Sequence, residues 1–545
     1  MLGLMAFANP AAAEPLTGTV SSQKEGSMEG VLVSAKKQSG TISVAVVSNA
    51  EGRYSFLSDR LSAGTYDITI RAVGYTLPDT TVAISAGQAA KLDLTLDEVT
   101  NKMKLGGQLT NAEWMISAGD DGAQLGDCVS CHTLSLPLFS HYDAQAMAKV
   151  VQRMGLHTNN ASIEHPWFDT DALEKLANSP SADDVSLGAY IASINLSDRD
   201  AWPFDLKTLP RPNGADTQVI YTTYDLPRSD AAPHDEVFDA DGNVWYSDFN
   251  TQYIGKLNPK TGEVTDYEVP LRRPGGVAQG GLQVEFDPTG KLWFANMEQI
   301  QLIRLDPATG KMDIFKLPVA EEDAADAHTT MIDPTRMYVD GNLWFNVAGG
   351  GAKGGEGAWR LHVETAEFTH VTYPEGSPPT RAYDNVVDNA NNLWGFHMHN
   401  HNLWTTNVKT LETEWFAHPD DRVGCRRGHM DDQERIWCAD FMGNGLLMFN
   451  TETREFEGNW TMPTAFTRPY DAQYDDKAYV WAGGMDSDLI IRLNPETGKL
   501  NQYLLPHKTN IRHVEVWKGG PNELSSFWVG DQHGATLTHI EALMP

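Results

Sequence analysis

Apolar and polar residues alternate in short runs over the first hundred positions: Gly18-Thr19-Val20, Gly30-Val31-Leu32-Val33, Tyr54-Ser55-Phe56, Tyr66-Asp67-Ile68-Thr69-Ile70 and Leu92-Asp93-Leu94-Thr95-Leu96. A period of two sends successive side chains to opposite faces of a strand, and the Gly and Asp between runs supply turns, so residues 15–98 are predicted to form an all-β sandwich. From 107 to 198 the apolar spacing becomes helical, at Asp143 to His157 and again at Asp184 to Ile194. A Pro-rich stretch, Trp202 to Pro212, marks a linker over 199–216. From 217 to 545 one motif recurs about every forty residues, the spacing of a solenoid or propeller. It reads Phe238-Asp239-Ala240-Asp241-Gly242-Asn243-Val244-Trp245-Tyr246, then Phe286 to Phe294, Val339 to Phe345 and Asp388 to Trp394. Its tryptophans, Trp245, Trp293, Trp344, Trp394, Trp437, Trp481 and Trp528, predict seven blades, with Val219 to Tyr224 completing the last and closing the ring.

The fold class expected is therefore mainly β and multidomain: a β-sandwich, a small α-helical domain and a seven-bladed β-propeller. Length agrees, because single cores stop growing at roughly 250 to 300 residues and the chain has 545. A net charge of -32 repels a phosphate backbone, so nucleic acid is not expected as a partner, local clusters such as Arg422, Arg426 and Arg427 being the exceptions to weigh. Residues 1–14 join a short apolar run to small residues at Ala11 to Ala13, as at the end of a secretory signal, though without a basic start; a frayed terminus is the alternative. No apolar run of 18 residues follows, so no transmembrane segment is expected.

Two of the four cysteines fall in Cys128-Val129-Ser130-Cys131-His132. This spacing lets two thiols form thioethers to haem vinyl groups while the adjacent imidazole binds the iron, so a covalent haem c is expected. A zinc site would need two more ligands nearby. Because c-type haem is attached outside the cytoplasm, the expected location is the periplasm. The sixth iron ligand is open among Met147, Met154, His141 and His157. Met154 is preferred because Val150-Val151-Gln152-Arg153-Met154 is similar to a Val-x-x-Arg-Met signature of small periplasmic cytochromes, with a core role for Met154 as the competing reading. Cys425 and Cys438 flank one predicted turn and are either paired or two buried thiols.

Three resemblances add to this. Glu51-Gly52-Arg53-Tyr54-Ser55-Phe56, Gly64-Thr65-Tyr66 and Arg71-Ala72-Val73-Gly74-Tyr75 resemble the carboxypeptidase regulatory-like domain, which implies a transthyretin-like β-sandwich with a structural or adhesive role for 15–98. Leu187 to Asn195 resembles the closing helix of class I cytochromes c. The Asp-x-x-Gly-x-x-Trp-Phe repeats and Ile254-Gly255-Lys256-Leu257-Asn258-Pro259-Lys260-Thr261-Gly262 resemble virginiamycin B lyase, a seven-bladed propeller. That resemblance implies a channel where a His opening an inner strand and a Glu following Trp-Phe-Thr hold magnesium and a general base. His234 with Asp248, and His513 with Asp531 and His533 behind it, match those positions, but each has Asp for Glu, which puts the metal geometry in doubt.

Further candidates sit at the same strand ends. Arg381, Asp384, Arg468, Asp471, Arg512 and His429 precede or open second strands near the axis, and Arg forks suit carboxylate, phosphate or carbonyl groups; ion pairs between blades are the plainer reading. In His397-Met398-His399-Asn400-His401, alternation along a strand would place three imidazoles on one side as transition-metal ligands, with Asn296 and Glu298 offering oxygen. The expected function is a periplasmic haem c oxidoreductase that takes a small-molecule substrate in the channel and passes electrons through the haem to a redox partner. His234, His397, Arg381 and His513 are its catalytic candidates, and a divalent channel metal is a further expectation. A metal-dependent lyase or hydrolase with an accessory cytochrome, and a noncatalytic electron-transfer protein, are the alternatives.

Overall fold

The computed structural model describes residues 14–130, 132–157, 179–197, 199, 201–272, 280–319, 328–333, 337, 339–348, 357–373, 377, 382–517 and 524–543. Within 217–543, six antiparallel four-stranded sheets follow one another, from Pro233–Phe238 in blade 1 to Lys499–Leu504 in blade 6. Blade 7 takes three strands from the end of the chain, Glu515–Trp517, Ser526–Asp531 and Thr536–Ala542. Its fourth is Val219–Asp225, which pairs with Thr536–Ala542 along its length and so locks the start of the ring to its end. All seven tryptophans are buried.

The Asp-x-x-Gly-x-x-Trp repeat has a physical reason. In blade 1 the Asp239 carboxylate accepts from the backbone N–H groups of Asp241 and Asn243, shaping the turn, and from Trp245 Nε1 at 3.0 Å. The same Asp-to-indole bond forms at Trp293, Trp394, Trp437 and Trp481, at 2.7 to 3.1 Å. One carboxylate thus fixes the hairpin and satisfies the only polar atom of a large apolar side chain, which lets that side chain be fully buried. Trp344 departs from the pattern, its aspartate standing at 340, and its indole nitrogen has no hydrogen-bond partner among the described residues.

Residues 14–98 form the expected sandwich, with Leu16, Val33, Tyr54, Phe56, Tyr66 and Leu96 in its core. One strand, Ile42–Val47, was not among those the alternation marked; it is apolar almost throughout, as a strand covered on both faces must be. It lies between Leu32–Lys37 and Val219–Asp225, pairing Val46 with Ile220 and Val44 with Thr222. A sheet of the sandwich and blade 7 of the propeller are therefore one continuous eight-stranded sheet. Arg71 to Asp488 at 2.6 Å and Arg60 to Glu541 at 2.8 Å add ion pairs across the junction.

Between these bodies lie helices at Lys102–Gln108, Asn111–Ala118, Ser135–Leu138, Ala144–Met154 and Ala182–Ile194. Thr110 with Glu113, and Ser181 with Asp184, start two of them with reciprocal capping bonds. Residues 202–212 do not behave as a separating linker. Trp202 packs on Trp114 at 5.6 Å between ring centroids, Leu209 N–H donates to Glu113, and Arg211 Nε donates to Glu29 O. The stretch carries Trp202, Phe204, Leu206 and Leu209, and that apolar load outweighs its prolines, so it straps the helices to the sandwich.

Candidate active site

Tyr470, which opens the inner strand of blade 6, Tyr383 just before that of blade 4 and Asn510 before that of blade 7 contact the helical segment, so the residues of the channel stack in layers below it. Nearest the helices are His234, Tyr383, Arg426, Tyr470 and Arg512. The guanidinium of Arg426 lies 3.9 Å from the Tyr470 ring centroid and 4.2 Å from that of Phe441. Tyr383 and Tyr470 share a hydroxyl-to-hydroxyl hydrogen bond, and the Tyr470 hydroxyl reaches His234 Nε2 at 3.4 Å. Burial holds the His234 ring down to about 4, so it is neutral, while its Nδ1 stands 2.6 Å from Asp235.

One layer deeper, Arg427 closes the axis with a fully buried side chain. It bonds to the Asp235 carboxylate, donates to Gln283 Oε1 at 3.0 Å, and its Nε is 3.9 Å from both Asp384 and Asp471. Burial alone would raise both Asp235 and Asp471, but their neighbours overcome it, Arg427 foremost for Asp235, and the His429 contact ahead of Arg427 for Asp471; both sit well below the usual carboxylate range. At Asp384 burial outweighs the nearby Arg427, with the Asp471 charge adding to it, and pushes the carboxyl up to about 7. Neighbouring Glu236 is pushed up to about 8 by burial, with neither carboxyl oxygen hydrogen-bonded among the described residues.

Below Arg427 the channel opens to solvent in a cavity of about 470 Å³, where Glu285, Asn385, His429, Gln473, His513 and Glu515 meet. His513 Nδ1 is 2.5 Å from Asp471 Oδ2 and its Nε2 is 3.4 Å from Glu515. His429 Nε2 is 3.3 Å from Asp471 Oδ1. Against the desolvation that lowers it, Asp471 and Glu515 hold the His513 ring well above its ordinary range.

The chain is similar to known proteins in two parts. Residues 15–97 match the Carboxypeptidase regulatory-like domain. The structure of streptogramin B lyase aligns with 60% of this chain and 99% of its own, at 17% identity and a TM-score of 0.51. Virginiamycin B lyase from Staphylococcus aureus aligns with 59% of this chain and 99% of its own, at 17% identity and a TM-score of 0.49. No curated protein matches the sequence. The ring is similar in fold to streptogramin B lyase.

The carboxylates that the resemblance paired with histidines do other work. Asp248 accepts from the N–H groups of Ala232, Asn250 and Thr251 through Oδ1, and from Arg228 and the Thr251 hydroxyl through Oδ2. Asp531 Oδ1 accepts from Asn510 and His533 N–H, and its Oδ2 is 3.8 Å from His507. Both brace loops between blades, so the residues present do not fit the magnesium site that the resemblance implies. His234 and His513 do reach the channel, but beside Asp235 and Asp471. His429, named among channel-facing residues, proves part of the main imidazole cluster, whereas Glu236, Gln473 and Glu515 carried no sequence signal beyond an inner strand's polar positions.

The histidine run is also corrected. Leu393–His397 and Asn400–Thr406 are two strands of one hairpin, so Met398 and His399 form its turn and alternation fails there. His397 and His399 stay together, ring centroids 5.4 Å apart, while His401 lies on the returning strand beside His418. The three imidazoles do not share a face. Asn296 and Glu298 are buried at the analogous hairpin end of blade 2. Arg381 and Cys131 lie outside the described residues.

Cys425 and Cys438 are joined by a disulfide. Around the Cys-x-x-Cys-His sequence, Cys128 is half-buried in a 3-10 segment, Gly119–Ser130. His132 directs Nδ1 at Thr133 O, 3.1 Å away, and burial pushes its imidazole down. A neutral ring with one nitrogen engaged on a backbone carbonyl presents the other as a metal ligand, so the described residues here fit an axial imidazole. Met147 is buried in the helical core, whereas Met154 ends its helix 38% exposed. His141 and His157 flank that helix.

Proposed function

We propose that this protein is an exported haem c oxidoreductase in which the propeller channel binds a small-molecule substrate and electrons leave through a haem held by Cys128, Cys131 and His132. One observation carries the reading: the segment bearing these residues is seated on the channel itself. Leu125 and Val129 share one apolar core with Phe441, Tyr470 and Met485 of the propeller. Asn510 Nδ2 donates to Val129 O at 3.2 Å, Ala112 N–H donates to Asp486 O, and Gly126 lies so close to Arg468 that a Cβ would meet its guanidinium at 2.3 Å. Tyr470 touches both this core and His234, so the channel and the attachment segment are in contact through a single side chain.

A haem held there by Cys128, Cys131 and His132, with Met154 or Met147 as candidate thioether ligands, would supply one-electron acceptance. The protein's own groups do the rest. His234, neutral and held by Asp235, is placed to accept a proton from a substrate in the upper channel. Arg426 and Arg512 flank Tyr470 and favour a negative charge on substrate or phenol. Arg427 closes the axis below them and keeps this layer apart from the open mouth. The disulfide supports an oxidising compartment, here the periplasm, where a soluble redox partner would take the electrons.

Expression in a host that matures c-type cytochromes tests the reading. The expected product is coloured, resists haem extraction, and has both sulfurs of the motif closed to alkylation. Under anaerobic conditions one of a set of alcohols, aldehydes, lactones or phenolics reduces it. A colourless product with two reactive thiols would end the proposal.

A second reading has its own observation. The densest cluster of imidazole and carboxylate groups lies at the open mouth, not under the helices, which favours metal-assisted hydrolysis or elimination there with the cytochrome as an accessory. Turnover that survives loss of haem but not chelation would favour it.

A further inference from the structure

We propose that His429, Asp471 and His513, with Glu515 beside them, bind one divalent transition-metal ion at the floor of the open channel mouth. Three inner strands, Cys425–Met430, Pro469–Tyr474 and Glu515–Trp517 with the residue pair before it, bring these groups together. One ligand atom from each of His429, Asp471 and His513 lies within 4.8 Å of the others, and no other such group occurs among the described residues. Ligands at about 2.05 Å from a tetrahedral ion stand about 3.3 Å apart. His429 Nε2 and Asp471 Oδ1 are already 3.3 Å apart, and His513 Nε2 and Glu515 Oε2 are 3.4 Å apart, while His513 Nδ1, 2.5 Å from Asp471 Oδ2, keeps its hydrogen bond to that carboxylate and leaves Nε2 as the ligating nitrogen.

The hydrogen-bond inventory points the same way. Gln473 is fixed in orientation, because Oε1 accepts from Val516 N–H at 2.9 Å and Nε2 donates to Glu515 at 2.8 Å. The same Nε2 stands 3.3 Å from His429 Nε2 and calls for a lone pair there, while Asp471 on the other side calls for a hydrogen. One ring nitrogen offers one or the other, never both. A cation seated between His429 Nε2 and Asp471 takes the lone pair and the carboxylate together and leaves Gln473 its bond to Glu515. Arg427 is shared among Asp235, Asp384 and Asp471, and Glu515 adds a further carboxylate beside His513. The cavity above the cluster leaves room for solvent or substrate on the ion.

Two imidazoles with carboxylate oxygen select a first-row transition ion or zinc over magnesium. The site is distinct from the loop-bracing Asp248 and Asp531 and is independent of whether haem is attached. To test it, full-length protein carrying His397→Ala and His399→Ala, which removes the other paired imidazoles, is stripped with chelator and titrated with Zn²⁺ by calorimetry. One equivalent is expected to bind, undiminished by a hundredfold excess of Mg²⁺. Adding His429→Ala, at a side chain 25% exposed, is expected to weaken binding roughly a hundredfold or more, beyond what loss of an outer-sphere partner costs, without lowering the metal-free melting temperature. Crystals soaked in Zn²⁺ give a check that needs no variant, an anomalous peak between His429 Nε2 and Asp471. No binding by the parent, equal competition by Mg²⁺, affinity unchanged in the His429 variant, or a peak elsewhere would each overturn the proposal.

Discussion

Glu236 shows how a single buried group sets a pH dependence. Burial raises its carboxyl from an ordinary 4.5 to about 8, and no hydrogen bond among the described residues offsets that cost. The folded state therefore keeps a proton that the unfolded state releases near the ordinary value. Its stability contribution is complete in acid and is lost as pH rises towards and through 8. Glu236→Gln keeps the shape and removes the ionisation. The variant is expected to melt close to the parent at pH 4 and to exceed it at pH 9, by on the order of 5 kcal/mol. Parallel melting curves at the two pH values check this; equal curves at pH 9 would mean that the carboxyl ionises freely inside the ring. Asp235, on the same strand, shows the opposite outcome because Arg427 and two imidazoles face it.

At the scale of elements, the decisive feature is the pairing of Ile42–Val47 with Val219–Asp225. An exposed strand edge offers unpaired N–H and C=O groups to any other strand, and the sandwich covers the outer edge of blade 7. A chain beginning at residue 99 would leave Val219–Asp225 uncovered beside a complete propeller. It is expected to self-associate, seen as a shift to dimer or larger species in size-exclusion chromatography with light scattering, while the full chain does not. A monomeric truncated chain would show that the sandwich is not an edge cover. This junction was the least legible part of the sequence. The seven tryptophans, five of them with an aspartate six residues earlier, announced the blades, because turn chemistry and indole burial leave a fixed spacing. Ile42–Val47 is apolar on both faces and shows no alternation to distinguish it. The histidine hairpin failed for a related reason: His397 to His401 reads as a regular alternation, and only strand pairing shows that it bends at Met398 and His399. In the channel, Asp248 and Asp531 follow their tryptophans by the rule that marked them, but that position faces a loop, whereas His429, Asp471 and His513 converge across blades far apart in sequence.

For the whole molecule, the formal charge of -32 acts on any partner that docks from solution. In the proposed function an electron leaving the haem would pass to a second protein, and a strongly negative donor meets a basic acceptor faster than an acidic one because the long-range field steers the encounter. With a screening length near 10 Å at 0.1 M salt, that advantage fades as ionic strength rises. Oxidation of the reduced protein by a basic small cytochrome is thus expected to slow roughly tenfold between 0.02 M and 0.2 M salt. Oxidation by an uncharged quinone should change little over the same range. Stopped-flow traces at the haem absorption separate the two. A rate to the basic acceptor that ignores salt would place the exit for electrons on a locally neutral face, and the acidic surface would then serve solubility alone.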